Sequence, residues 1–158
     1  MHLTAALFLL PVTLAAHLRV SIAPHHILPN PSILPPSTTA TLTTLGQIYS
    51  AHLRTDNAFD FRNVTVGSYL FDVNCHTHSF APLRVDVHKP ATIEKTGGTE
   101  LKEVEAWGTF RGNEWSNKGE FAAIKEIKEG RKDIYTFDVK VQAAKEYLIE
   151  RQGCKSTV

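Results

Sequence analysis

Histidine is the residue type with the clearest capacity for chemistry in this chain, which contains eight of them. His76 and His78 would point to one face of a strand, because side chains alternate between the two faces. His25 and His26 are possible additional ligands. A tetrahedral zinc site needs three or four His, Cys or carboxylate ligands held together. We therefore favour loop and edge histidines and expect no metal and no other cofactor.

Nucleophilic catalysis has little support in the sequence. Ser68 and Ser79 do not belong to a Gly-x-Ser-x-Gly elbow. Cys75 and Cys154 are the two cysteines, and they form no Cys-x-x-Cys motif. They could pair in an oxidising compartment, although one falls in the predicted core and the other near the C-terminal end. No catalytic residue is predicted, and an enzyme is the least supported class.

Asn63 begins the sequence Asn-Val-Thr, a signal for N-linked glycosylation. It falls at the predicted turn of a hairpin, where a transferase could reach it. The alternative is that Asn63 only caps the turn, as Asn commonly does. The two roles are compatible, and a glycan on Asn63 is the modification that the sequence predicts.

Two tryptophans, Trp107 and Trp115, are the remaining candidates for a binding site. If both are exposed, their rings could form a platform on which a sugar stacks. Such residues are more often core or interface anchors. The residues alone leave these alternatives open.

The sequence of residues 53–73 predicts two strands joined by a tight turn. This element would position the candidates described above. Residues 55–57 make a preceding turn in which Asn57 tolerates the left-handed conformation. Residues 63–67 then reverse the chain, with Gly67 supplying a positive φ. Apolar residues alternate with polar ones on both sides of that reversal. The inward positions are Phe59, Phe61, Tyr69, Phe71 and Val73.

Alternating patterns predict further strands before and after this hairpin. They cover residues 18–23, 38–45, 48–53, 83–87 and 135–141. The proline-rich residues 25–36 predict an extended loop over the sandwich. Residues 143–151 fit a short helix or a continued strand. About seven or eight short strands without a long helix are typical of a β-sandwich.

Composition bounds the class of protein. A 42% hydrophobic content and a net charge of +1 fit one folded domain. They argue against a disordered tail and against a nucleic-acid binder, which would show a concentrated basic excess. Residues 1–16 form an apolar run with a small-x-small cleavage site at Thr13 and Ala15, or one residue later at Ala16. We expect a signal peptide, since a membrane anchor would need about 20 apolar residues.

The hairpin pattern Thr-Asp-x-x-Phe-x-Phe-x-x-Val-x-x-Gly-x-Tyr-x-Phe-x-Val resembles carboxypeptidase-regulatory-like and prealbumin-like sandwiches. The longer runs at residues 59–73 and 78–87 are similar to the lumenal domain of subunit 7 of the endoplasmic reticulum membrane protein complex. Residues 109–120 resemble the fungal members of that family. The resemblance covers roughly residues 18–153. It implies an all-β, two-sheet antiparallel sandwich of the prealbumin-like or carbohydrate-binding-like type.

The resemblance also implies a function. Such a chain is a non-enzymatic subunit on the lumenal side of the endoplasmic reticulum membrane that docks on other subunits and supports insertion of transmembrane segments. The docking surface would contain Trp107, Phe110, Arg111 and Trp115. A soluble carbohydrate-binding module of the secretory pathway, or a secreted structural domain, remains the alternative.

The implied domain organisation has three parts. Residues 1–16 are the signal peptide, 17–141 the lumenal sandwich, and 142–158 a juxtamembrane-like segment. Family members continue into a transmembrane helix, but no stretch after residue 16 has the length and apolarity of a span. The chain is expected to be either a truncated form or a soluble relative. In either case, we expect membrane association through partners or through the missing helix.

Overall fold

A computed structural model describes residues 15–89, 103–129 and 132–146, and in these ranges two β-sheets pack face to face. The described residues contain eleven strands and one short 3-10 helix, Pro31–Ile33. The strands are β1 (Ala15–Ile22), β2 (Thr39–Thr44), β3 (Gln47–His52), β4 (Ala58–Thr65), β5 (Gly67–Asn74), β6 (His78–Phe80), β7 (Leu83–Val87), β8 (Val104–Gly108), β9 (Lys125–Glu129), β10 (Lys132–Val139) and β11 (Val141–Ala144).

The strand order confirms the predicted β-sandwich. One sheet has the order β4-β1-β10-β9 and the other β3-β2-β5-β7-β8, while β11 and β6 form a short ribbon. The expected all-antiparallel pairing is wrong at one place, because β1 and β10 are parallel. Parallel neighbours need a long crossover connection. Here the chain passes through the whole five-stranded sheet between these two strands.

The core lies between the two sheets and is centred on Phe71 of β5. Its ring centroid lies 6.3 Å from that of Phe59, 6.2 Å from Phe61 and 6.3 Å from Phe137, each in an edge-to-face arrangement. Phe71 is fully buried. Because the three partners belong to the four-stranded sheet, these contacts hold the sheets together.

The predicted central hairpin is wrong, because β4 and β5 do not pair with each other: β4 lies in the four-stranded sheet and β5 in the five-stranded sheet. Asn57 has φ +58°, as expected, but Asn63 lies within β4 and also has φ +59°. In the pairing of β1 with β4, His17 lies opposite both Arg62 and Asn63, which makes a β-bulge. Gly67 has φ +159°, which confirms the positive φ predicted for it. Val66 alone lies between the two strands, so the chain crosses there from one sheet to the other.

Three strands, β6, β8 and β9, were not predicted, and β11 favours the continued strand over the short helix at its end. Residues 143–151 contribute only the end of β11, and their part beyond residue 146 lies outside the described residues. The predicted loop before β2 is confirmed, and it buries Leu28 and Leu34 against the core.

Several predictions fall outside the described ranges. Most of the predicted signal peptide and all but the first residues of the juxtamembrane-like segment lie there, as does Cys154. The proposed domain limits stay predictions. Within the described ranges, no helix is both long enough and apolar enough to span a membrane.

Candidate functional site

The outer face of the five-stranded sheet carries the predicted docking residues. Strand pairing aligns one residue from each of its five strands in a row across this face. The row consists of Ile48, Thr43, Leu70, Arg84 and Trp107. A mixed face of this kind is suited to contacts with another protein rather than to burial in the core.

Residues 109–120, called the Trp115 loop below, leave β8 and fold back over this face. At the return, the Gly108 N–H donates to the Glu120 carbonyl at 2.7 Å, and the Gly119 N–H donates to the Gly108 carbonyl at 3.1 Å. A Cβ on Gly119 would lie 2.4 Å from that carbonyl oxygen. Only glycine allows so close an approach of the two backbones.

Two asparagine side chains hold the interior of the loop. The Asn113 amide donates to the Asn117 carbonyl at 2.9 Å, and the Asn117 amide donates to Asn113 Oδ1 at 3.1 Å. Gly112 has φ +85°, which permits the turn that starts at Phe110. The Phe-Arg-Gly-Asn-Glu-Trp-Ser-Asn-Lys-Gly run is thus a folded loop that presents Trp115.

Buried charge attaches the loop to the sheet. Asp86 is only 3% exposed, and both of its carboxylate oxygens accept from Arg84 Nε at 3.0 Å. Lys118 Nζ lies 3.7 Å from Asp86 Oδ2 and 3.6 Å from Glu105 Oε2. Arg84 also donates to the Trp115 carbonyl. A buried carboxylate is tolerated when it is paired and hydrogen-bonded, so the loop and the sheet depend on each other.

The two tryptophans have different environments. The Arg84 guanidinium lies 4.5 Å from the centroid of the Trp115 ring, and Trp115 remains 50% exposed. Trp107 is half-buried and packs edge-on against Phe121 at 4.8 Å, with Lys118 Nζ 4.8 Å from its centroid. Trp107 therefore serves packing, and Trp115 is the indole presented to solvent.

The other predicted docking residues extend the same face. Phe110 is 62% exposed, and Arg111 forms an ion pair with Asp72 of β5. Toward β2 on this same face, Trp115 borders a shallow pocket lined by Thr43, Thr44, Leu45 and Ser68. The exposed apolar residues of the face and its β2–β3 turn include Leu45, Ile48, Phe110 and Trp115.

The remaining chemical candidates do not form a site. In the part of the chain that the structure describes, no three His, Cys, Asp or Glu residues are grouped to hold a metal ion. His25 and His26 pack on each other with ring centroids 4.0 Å apart. Cys75 is buried. Burial opposes its ionisation, but hydrogen bonds from Thr77 and nearby backbone outweigh that effect and lower the pKa of Cys75.

Sequence reasoning missed the three charged residues that build the surface, Arg84, Asp86 and Lys118. Arg84 and Asp86 have the outward positions of a strand, which normally indicates solvated side chains. Lys118 is distant from both in the sequence. The one available signal for Lys118 was the Trp115 loop sequence itself, which ends in a lysine and a glycine before Glu120.

A comparison with protein families decides which group this arrangement belongs to. The β-sandwich domain of ER membrane protein complex subunit 7 matches residues 29–157. The chain belongs to this family. The match includes the strands from β2 to β11 and the Trp115 loop, so it confirms the resemblance found in the sequence. No curated protein matches the chain.

Proposed function

We propose that the chain is a non-enzymatic subunit of the ER membrane protein complex that lies on the lumenal side of the membrane. Membership of the subunit 7 family supports this assignment. In this proposal the chain docks on the lumenal parts of other subunits and thereby supports the insertion of transmembrane segments. Its contribution is to hold partners in position.

The observation that carries the proposal is the half-exposed Trp115 on an anchored loop. Trp is enriched among the residues that dominate the energy of protein interfaces. Arg84 fixes the ring and the loop backbone together. A side chain that is already ordered loses less conformational entropy on binding. The Trp115 loop is therefore prepared for docking before a partner arrives.

The extent of the surface fits a protein partner. Leu45 and Ile48 lie on one side of Trp115 along β2 and β3, and Phe110 extends the surface toward β5 and β6. Specific interfaces of standard size bury about 800 Å² on each partner. Exposed apolar residues spread across a whole sheet face suit that size better than they suit a small ligand.

A carbohydrate-binding module is the second candidate, and one observation favours it. The pocket beside Trp115 contains the hydroxyl groups of Thr43, Thr44 and Ser68. Sugars bind where an aromatic ring adjoins a few polar groups. Arg84 already lies against the Trp115 ring, however, and Phe110 would have no role in such a site. We therefore favour docking on a protein.

Trp115→Ala tests the proposal. We expect partner recovery from detergent-solubilised membranes to fall roughly 30-fold, since loss of an interface anchor costs about 2 kcal/mol or more. The thermal stability of the variant should change little, because half of the side chain is exposed. Arg62→Ala, on the opposite sheet, is the matched control and should leave recovery unchanged. Full recovery with Trp115→Ala would contradict the proposal, and retention on immobilised glycans would favour the carbohydrate module.

A further inference from the structure

The glycosylation signal lies on the outer face of the four-stranded sheet, opposite the Trp115 loop. Phe61 and Val64 of β4 point into the core, so the bulge places both Arg62 and Asn63 on the outer face. Asn63 is exposed, and its φ of +59° is a conformation that Asn adopts more readily than most residues. The folded protein therefore has room for a glycan on this side chain.

The threonine of the same signal, Thr65, has its hydroxyl engaged in hydrogen bonds. Thr65 Oγ1 lies 2.9 Å from the Tyr69 hydroxyl and 3.3 Å from the Tyr49 hydroxyl, and it donates to Gln47 Oε1 at 3.1 Å. The Tyr69 hydroxyl also donates to the Thr65 carbonyl at 2.8 Å. Val64, between the two signal residues, is fully buried. A transferase that must read Asn and Thr together would find the threonine occupied.

We propose that Asn63 carries an N-linked glycan and that packing of the end of β4 against β3 and β5 ends the period in which it can be attached. The exposed amide fits a modified protein, and the engaged hydroxyl fits modification of the unfolded chain only. The inference rests on the lumenal location proposed above. The glycan would also cover part of β4, which is an edge strand of its sheet and a potential site of unwanted strand pairing.

The chemistry is a group transfer without oxidation or reduction. Asn63 Nδ2 attacks the anomeric carbon of an oligosaccharide carried on a lipid pyrophosphate. A carbon–nitrogen bond forms while the bond from that carbon to the pyrophosphate oxygen breaks. The lipid pyrophosphate leaves with the bonding electrons, and Nδ2 gives one proton to a base of the transferase. The donor and the transferase belong to the secretory pathway.

The site is tested by expressing the full chain in a eukaryotic secretory host. We expect one glycan that peptide N-glycosidase removes, and none on Asn63→Asp. Aspartate also tolerates the left-handed conformation, and it is the residue that the glycosidase leaves behind, so the variant matches the deglycosylated protein. Thr65→Ser retains the signal and should keep the glycan.

A second signal separates the two ways in which this test can fail. Arg54→Asn with Asp56→Thr creates Asn-Thr-Thr in the exposed β3–β4 turn. If this variant gains a glycan there while Asn63 is bare, the proposed site is wrong although the chain enters the lumen. If neither position is modified, the lumenal location fails and the site with it.

The timing is tested with unmodified protein, purified and offered to membranes that contain the transferase and its donor. The refolded chain should be modified roughly 100-fold more slowly than the denatured chain, because only locally opened molecules present Thr65. The engineered signal at residues 54–56 is the control, since all three of its residues lie in an exposed turn. Equal rates for folded and denatured Asn63 would overturn the folding gate.

Discussion

The two outer faces of the sandwich use charged residues in opposite ways. On the five-stranded face, Arg84 and Lys118 converge on the buried Asp86 and hold an aromatic loop in place. On the four-stranded face, the charged side chains surround Asp60, and their pairs hold only the short β3–β4 turn through Arg54. The first face is organised to present a residue, and the second is a solvated surface.

Asp60 is the carboxylate around which the basic side chains of the four-stranded face gather. Arg54 Nη1 and Arg62 Nε lie 3.2 Å and 3.0 Å from Asp60 Oδ2, and His17 pairs with Oδ1. Burial alone would raise the pKa of this carboxyl group, but the hydrogen bonds and charges of His17 and Arg62 outweigh it and lower the pKa below 3.8. Arg54 and Arg62 are at least half exposed, so their pairs with Asp60 contribute little.

The two faces therefore have different roles. Charges that are buried and shared between a loop and a sheet make a surface rigid, whereas exposed pairs leave it open to solvent. The proposed glycan lies on the solvated face, where it would not obstruct docking by the other.

Phe71→Ala should have the largest effect on stability, because it weakens the core that holds the two sheets together. Its ring contacts three aromatic residues of the opposite sheet, and truncation of such a residue costs about 3–5 kcal/mol. The free energy of unfolding from chemical denaturation measures this. A variant as stable as the parent would show that the sheets are not held together at this point.

Asp86→Asn should have an intermediate effect confined to the five-stranded face. Removing the carboxylate charge leaves Arg84 and Lys118 without their shared partner, and we expect a loss of about 2 kcal/mol. Hydrogen exchange should rise in the Trp115 loop and stay unchanged in β4. Uniform exchange changes across both sheets would contradict a local anchoring role for Asp86.

Asp60→Asn should have the smallest effect and the clearest pH dependence, with a loss of about 1 kcal/mol at neutral pH. A lowered pKa in the folded state means that the ionised group stabilises above its ordinary value of 3.8. This contribution disappears as the pH falls through the lower folded value. The stability difference between parent and variant should therefore be constant at neutral pH and vanish in acid. A constant difference down to the lowest measurable pH would refute the assignment.

Much of the fold could be predicted because most strands bury one face. Alternation identified the strands that contain Leu42, Phe61, Phe71, Val85 and Phe137, all of which lie in the core. It missed β9, whose residues Lys-Glu-Ile-Lys-Glu are exposed on both faces. The parallel pairing of β1 with β10 depends on contacts between distant segments and leaves no local pattern.

The candidate site was less predictable. Exposed Phe110 and Trp115 follow from a polar segment with isolated aromatic residues, but Trp107 in the same segment packs against Phe121. Asn63 has the residue type of a turn and the position of a bulge, because both require a left-handed conformation. Only the pairing register of β4 with β1 shows that Asn63 lies in a bulge and not in a turn.

The most direct test of the docking face compares photo-crosslinking from the two sheets in intact cells. A photoreactive residue replaces Ile48 on the five-stranded face or Arg62 on the four-stranded face, and both native residues are largely exposed. We predict that position 48 captures subunits of the ER membrane protein complex and that position 62 captures none. Capture from position 62 alone would contradict the assignment of docking to the Trp115 face.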